Sequence, residues 1–410
     1  MDSVSTSEIE LDKQLFSAEF IDNPYPIYRQ LVAKKPIFHT EWFGGAWLVS
    51  SHALASAVLK DDRFSNNTLD YMNKNFTGIE KEQLQDLVEH QTRWMPYLRG
   101  DLHTNVRKLV HRALENALVN YNEKFHELAL SLLTRLVEQR EFDFISDYAC
   151  IYPAQVISNV LGMDDETAVK IIQWSDQYHS YIGSNMDDYS LAKKALDALN
   201  EMQSHLYNLL KRPEKLAKNS LLSIFVNNQS ELVETQVLFN QLTNLVVASY
   251  VNAHNVLGNA LFTLLNNPDQ LELLNLSPNY FPNAVRELIR FDSSTQIVPR
   301  RALETLELYG KTIQKGELLF ILVGAANRDP AVFSNPEKLD ITRKQNPHLA
   351  FGHGPHVCIG LHLTYVTVEI ALKEFFMKIR DYDISLISST RIQSIAFRGL
   401  QNLYVSLSNR

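Results

Sequence analysis

Cys358 stands inside the ten-residue run FGHGPHVCIG, residues 351–360, together with three glycines, a proline and two histidines. The run leads directly into LHLTYVTVEIALKEFFMKI, whose apolar spacing predicts a helix. A thiol near a helix start meets free backbone amides and the positive end of the helix dipole, and both favour thiolate. Gly352 and Gly354 supply backbone angles that other residues resist, so the loop can turn tightly against a bulky object. A thiolate held by backbone donors in such a loop is a good axial ligand for haem iron. Two other readings suit a lone cysteine. One is a buried free thiol beside a turn. The other is zinc held by His356, Cys358 and His362, a trio lacking the fourth ligand that structural zinc sites use.

Two further features carry polar groups at telling positions. In ELIR, Glu287 and Arg290 stand three apart, within one helical turn and close enough to pair, although an exposed pair of this kind is worth little. The run LTNLVVASYVNAHNVLGNALFTLL, residues 242–265, is an apolar stretch interrupted near its middle by Asn252, His254 and Asn255. Polar side chains inside such a segment cost stability unless something satisfies them. Cys150, in SDYACIYPAQVI, has no motif around it and reads as a buried structural residue.

The elements that must position these residues are mostly helical. NPYPIYRQLVAKK predicts a helix entered through prolines, and IFHTEW with AWLVSS predicts a short strand pair turning at Gly44-Gly45. Residues 64–100 have weak periodicity and read as a long loop with one short helix, of the kind that borders binding sites. Residues 103–162 read as helical throughout, with Gly162 as a C-cap, and helices continue through the 242–265 stretch. TLELYGKTIQKGELLFILV and the final IQSIAFRGLQNLYVSLSNR alternate apolar and polar residues and predict small β elements. One large, mainly α domain over residues 1–410 is the simplest organisation. A net charge of −8 without a long basic block argues against nucleic acid as a partner. No uninterrupted apolar run is long enough for a membrane span, and the acidic start does not look like a secretory signal. Two distant cysteines exclude a disulfide framework, so a cytoplasmic location is expected.

The pattern Phe-Gly-x-Gly-x-His-x-Cys-x-Gly, at Phe351, Gly352, Gly354, His356, Cys358 and Gly360, resembles the haem-binding signature of the cytochromes P450. Four other segments match that family in order: HTNVR at His103 and Arg107, ELIR, PRRA at Arg300, and NRDPAVFSNPEKLDITR at residues 327–343. The resemblance implies a mainly α fold with small sheets enclosing haem b (iron protoporphyrin IX), with Cys358 as the iron ligand. It implies that His103, Arg107, Arg300 and His356 hold the haem propionates, the charge-assisted contacts a buried dianion needs. Phe351, Gly352 and Gly360 belong to the same cofactor loop, and His353 packs within it. It further implies that Glu287 and Arg290 are buried with an arginine of the later segment, either Arg328 or Arg343.

In this family a thiolate ligand favours O–O cleavage, and a central helix resembling Ala-Gly-x-Asp/Glu-Thr delivers protons. Here that segment is Ala248-Ser249-Tyr250-Val251-Asn252, so both the acid and the alcohol are missing. Val251 carries no proton, and Asn252 hydrogen-bonds without ionising in the useful range. His254 lies about 200° further round the helix and faces other neighbours. Asn252 is therefore the expected catalytic position, ordering water for oxygen insertion. The alternatives are an oxidase performing aryl or phenolic coupling, and a haem protein that senses a ligand without turnover. By position, Trp94, Tyr250, Val251, Ile297, Val298 and Phe397 are expected to line a pocket for a medium-sized organic substrate, free or carrier-tethered. Specialised natural-product metabolism, such as antibiotic biosynthesis, is the expected setting. Electrons are expected from NAD(P)H through a separate ferredoxin or flavodoxin and its reductase. Arg107, Lys108 and Arg112 form the candidate docking patch, and a monomer is expected.

Overall fold

The strand LLFIL (Leu318–Leu322, β8) is buried along its whole length, and a strand with no polar side must be covered on both faces. In this computed structural model, which describes residues 11–69, 76–119, 121–183, 188–212, 214, 216–227 and 235–410, it lies at the centre of a five-stranded sheet. The order is β1-β2-β8-β5-β3, with β1 at Ile37–Thr40, β2 at Ala46–Val49, β3 at Phe64–Ser65 and β5 at Ile297–Ala302. β2 runs parallel to β8, and the other three pairings are antiparallel. A second sheet joins β4 (Glu141–Asp143), β10 (Leu400–Asn409) and β9 (Tyr382–Arg391), and a hairpin pairs β6 (Leu306–Leu308) with β7 (Lys311–Ile313).

The helices form the larger layer. Thr235–Leu265 is one continuous 31-residue helix, about 46 Å long at 1.5 Å per residue. It packs against the helices Ile151–Leu161, Asp165–Gly183, Phe281–Phe291 and Leu361–Lys378, so it is surrounded and apolar on most sides. Asn252, Asn255 and Asn259, spaced three and four apart, form one polar stripe. Asn255 Nδ2 donates to Ser294 Oγ at 3.3 Å, and Asn259 Nδ2 donates to the carbonyls of Asp292 and Arg398 at 3.3 and 2.9 Å. The stripe thus anchors the chain after the helix Phe281–Phe291, and the return before β10, to the central helix. A Cβ on Gly399 would lie 2.0 Å from Asn255 Oδ1, so only glycine allows that approach.

The mainly α architecture with small sheets agrees with the sequence reading. Two local expectations change. Residues 64–100 contain β3 and two short helices, Gly78–Gln83 and Gln85–Thr92, rather than one; residues 70–75 lie outside the described part. Residues 103–162 are interrupted by β4 and a π turn, Ile145–Ala149. A three-residue strand is too short to show a period, and it forms because β10 supplies its partner.

Candidate haem site

The 351–360 loop is folded by its glycines. Gly354 has φ +74°, and a Cβ there would sit 3.0 Å from the Leu59 carbonyl oxygen and Lys60 Cα, at the end of the helix His52–Lys60. Gly352 has φ +73°, also in the left-handed region. The Cys358 amide donates to the Phe351 carbonyl at 2.8 Å and closes the loop. The Cys358 side chain then opens onto a cavity of about 370 Å³. Its exposure is to this internal space, and the thiol still lies deep in the protein. Burial raises the thiol pKa, against a hydrogen bond from Gly360 and the charge of Arg107. The backbone amide at the helix start favours thiolate, as the sequence reading has it, but burial outweighs it, and a bound metal cation would add to the amide's effect.

His103, Arg107, Arg300 and His356 line the same cavity, and no acidic side chain is among its described lining residues. The rings of His103 and His356 lie 4.1 Å apart. Burial, then the charges of His103, Arg300, Arg107 and Arg99, pushes His356 down to about 3. Burial alone lowers Arg300 to about 10, and among the described residues its guanidinium donates only to the Pro299 carbonyl, at 2.8 Å. Burial and then Arg107 lower the pKa of His103, whose Nε2 has no hydrogen-bond partner among the described residues. An unpartnered buried imidazole nitrogen beside two arginines fits a dianionic ligand such as the two haem propionates. Arg107 consequently faces inward and leaves the expected docking patch, whereas Lys108 and Arg112 are exposed.

Beneath the loop, Glu287 accepts from Arg290 Nε and Nη2, both at 2.8 Å, and from Arg343 Nε at 3.0 Å. The third partner is therefore Arg343. Arg328 instead pairs with Glu337 at 2.6 Å and covers the Tyr25 ring at 3.5 Å.

Across the cavity from the loop, Asn252 is held on both ends. Its Nδ2 donates to the Ala248 carbonyl at 3.2 Å, and its Oδ1 accepts from Ser294 Oγ at 3.1 Å and Thr295 Oγ1 at 3.2 Å. Asn252, Ser294 and Thr295 all line the cavity, as does Ser249. The two hydroxyls come from a segment with no sequence signal of its own. His254 turns away, with Nε2 3.5 Å from Cys150 Sγ, and burial lowers its pKa to about 4.

Of the expected pocket residues, Val298 lines the cavity and five do not. Tyr250 packs its ring against His254, and Val251 enters the helical core, because the cavity face is set by Leu245, Ala248, Ser249 and Asn252. Ile297 joins the cluster of Phe38, Leu48 and Phe320. Trp94 donates to Thr243 Oγ1 at 3.2 Å and rests on Tyr178, leaving Met95, Pro96 and Tyr97 on the wall. Phe397 packs edge-on against His179, with ring centres 5.3 Å apart.

Residues 278–399 match the family described as Cytochrome P450. "Polyketide biosynthesis cytochrome P450 PksS" of Bacillus subtilis (strain 168) is 30% identical over 405 residues, covering 95% of this chain and 97% of that protein. "Biotin biosynthesis cytochrome P450" of the same organism is 29% identical over 398 residues, covering 95% and 98%. The solved structure of P450BioI in complex with hexadec-9Z-enoic acid ligated acyl carrier protein superposes with a TM-score of 0.85 at 27% identity, covering 95% of this chain and 99% of that one.

Proposed function

The chain belongs to the cytochrome P450 family and is an oxidoreductase of the monooxygenase type; within it, we propose that this protein inserts oxygen into a medium-sized organic substrate of a biosynthetic pathway. The observation that carries the reading is the cavity itself, with the Cys358 thiol on one wall, a cationic cradle beside it and the anchored Asn252 amide opposite. Haem bound there would supply O2 activation and oxygen transfer. Cys358 would be its ligand, and His103, Arg107, Arg300 and His356 would neutralise its propionates.

The chain's own contribution to proton handling is positional. With Nδ2 bonded to Ala248 and Oδ1 engaged by two hydroxyls, Asn252 cannot rotate freely. It keeps one further N–H to hold a water or a substrate oxygen in the cavity. Ser294 and Thr295 add alcohols beside position 252, where the central helix carries an amide. Electrons come from NAD(P)H through a separate ferredoxin or flavodoxin and its reductase, docking where Lys108 and Arg112 are exposed. Its two cysteines are free, which fits a reducing cytoplasm. The acyl-carrier complex of the P450BioI structure supports testing carrier-tethered acyl chains as substrates.

The test is twofold. The reduced protein with carbon monoxide should show the long-wavelength thiolate band, and Cys358→Ala should lose it. With surrogate redox proteins, candidate substrates should give oxygenated product. Coupled dimers without inserted oxygen would support the second reading, aryl or phenolic coupling, which the absent acid–alcohol pair favours. Oxygen consumption without product from any candidate would favour the ligand-sensing alternative.

A further inference from the structure

Asn244 is 5% exposed, lines the cavity, and makes no side-chain hydrogen bond with any described residue. Two of its polar neighbours on the same helix, Gln241 and Thr243, are fully engaged. Gln241 accepts from the Met95 amide at 2.7 Å and donates to the carbonyls of Arg93 and Val237 at 2.7 and 2.8 Å. Thr243 accepts from Trp94 and donates to the Asn240 carbonyl. An asparagine on or just past a helix can satisfy itself by donating to the carbonyl four residues back, as the helical Asn159 and Asn252 do, and Asn266 and Asn267 just beyond the central helix. Asn244 makes no such bond, so its buried amide is left for something in the cavity.

We infer that Asn244 is a specificity-determining residue that hydrogen-bonds a neutral oxygen function, a hydroxyl or carbonyl, on the substrate. This inference rests on the haem-enzyme reading above. Asn244 and Asn252 are eight residues apart, about 12 Å along the helix axis, with Ala248 on the cavity wall between them. The substrate's polar oxygen is thus recognised well away from the atom that is oxidised. The neutrality follows from charge. The ionisable acid–base groups on the described cavity wall are those of the propionate cradle, the Cys358 thiol and the Tyr97 phenol, and only Arg107 and Arg300 among them are permanent cations. Leu245 and Ala248 adjoin Asn244 along the helix face on the cavity, and Met95 is held one turn before it by Gln241, so a carboxylate there would be buried in apolar wall without an adjoining counter-charge. An acyl chain would accordingly be taken as an ester, thioester or amide, or with a hydroxyl on its tail, and not as a free acid bound through its carboxylate at Asn244.

The test uses the haem-loaded protein and three probes that share an iron-binding head: N-octylimidazole, its ω-hydroxyl analogue and its ω-carboxyl analogue, each titrated by the shift of the Soret band. The hydroxyl probe should bind roughly five- to tenfold tighter than the alkyl probe, the gain of one hydrogen bond, and the carboxyl probe should bind weakest. In Asn244→Leu the hydroxyl advantage should vanish while the alkyl probe binds as well or better. Asn244→Asp should keep the hydroxyl advantage and reject the carboxyl probe further. Alkyl and hydroxyl probes of equal affinity in the unaltered protein would overturn the inference, as would tightest binding of the carboxyl probe. A protein with no Soret band would instead fail at the family-level reading, and this inference would fall with it.

Discussion

Ser294 Oγ donates to Asn252 Oδ1 at 3.1 Å, joining the segment after the helix Phe281–Phe291 to the middle of the central helix inside the cavity. Thr295 Oγ1 makes the same contact at 3.2 Å. An amide whose oxygen accepts two hydroxyl protons has its nitrogen end fixed by elimination, which assigns Nδ2 to Ala248 and the cavity. The alcohol function is thus delivered to the site by a different element from the one that carries it in Ala-Gly-x-Asp/Glu-Thr helices.

If the two hydroxyls act through Asn252, their effects should not add. Asn252→Ala should lower product formed per oxygen consumed several-fold. The double variant Ser294→Ala/Thr295→Val should lower it comparably, and the triple variant little further, an interaction of about 1 kcal/mol or more in a thermodynamic cycle. Additive losses would show independent roles, and an unchanged ratio in Asn252→Ala would remove the positioning role altogether.

The buried carboxylate of Glu287 gives a sharper prediction about stability. Arg290 and Arg343 are both buried against it, and Asn346 Nδ2 and the Asp340 amide add bonds at 3.1 Å. Removing either arginine takes charge-assisted hydrogen bonds from a buried carboxylate that is left with one cationic partner, at a cost of about 1.5–3 kcal/mol. Arg343→Ala should therefore resemble Arg290→Ala in its loss of denaturant resistance and haem retention. Arg328→Ala, which frees the half-exposed Glu337 and loses contacts with Tyr25 and Phe291, should cost about 1–2 kcal/mol. Denaturant midpoints of the three variants decide the order.

The propionate cradle predicts how tightly haem is held. Arg300→Ala or His103→Ala each removes a charge-assisted contact of about 1.5–3 kcal/mol. Haem transfer to excess apomyoglobin should be roughly ten- to a hundredfold faster than for the unaltered protein. Lys108→Ala, on the exposed side of the same helix, should leave the rate unchanged while slowing electron delivery. Equal haem loss from all three variants would show that the cradle does not select for the propionates.

The loop around Cys358 was legible because its chemistry is contiguous: glycines, thiol and helix start occupy ten neighbouring residues. The distal wall was not, since facing depends on helix rotation and on segments remote in sequence. Tyr250 and Val251 adjoin Asn252 in the chain but fall on other faces of the same helix. Trp94 misses the cavity by one residue, because the 3-10 turn Met95–Tyr97 swings its successors inward and leaves the indole bonded to Thr243. Ser294 and Thr295 carry no pattern; only the fold brings them to Asn252. The choice between Arg328 and Arg343 was likewise a matter of tertiary distance, invisible to spacing.

The last prediction concerns Asp292, where that same remote segment begins. Its carboxylate accepts from Arg398 Nε at 2.6 Å and Arg391 Nη2 at 3.3 Å, and also from the Tyr25 hydroxyl. Burial would raise its pKa, but Arg398, Arg391 and the Tyr25 hydrogen bond outweigh it and hold it at about 2, from a usual 3.8. A carboxylate whose pKa is depressed by folding contributes stability that is present above its unfolded pKa and is lost as pH falls through the folded one. The window is therefore from about pH 4 down to about pH 2, and the contribution at neutral pH is on the order of 2 kcal/mol. Asp292→Asn should lower the unfolding free energy at pH 7 by at least that amount, because the buried Arg398 and the partly buried Arg391 lose their counter-charge. It should also flatten the fall in stability between pH 4 and pH 2, measured by urea unfolding across that range. A variant with the parent's full acid slope would show that another group supplies it. The consequence reaches the site, because Asp292 and Arg398 fix the chain two residues before Ser294, and a loosened segment withdraws its hydroxyl from Asn252.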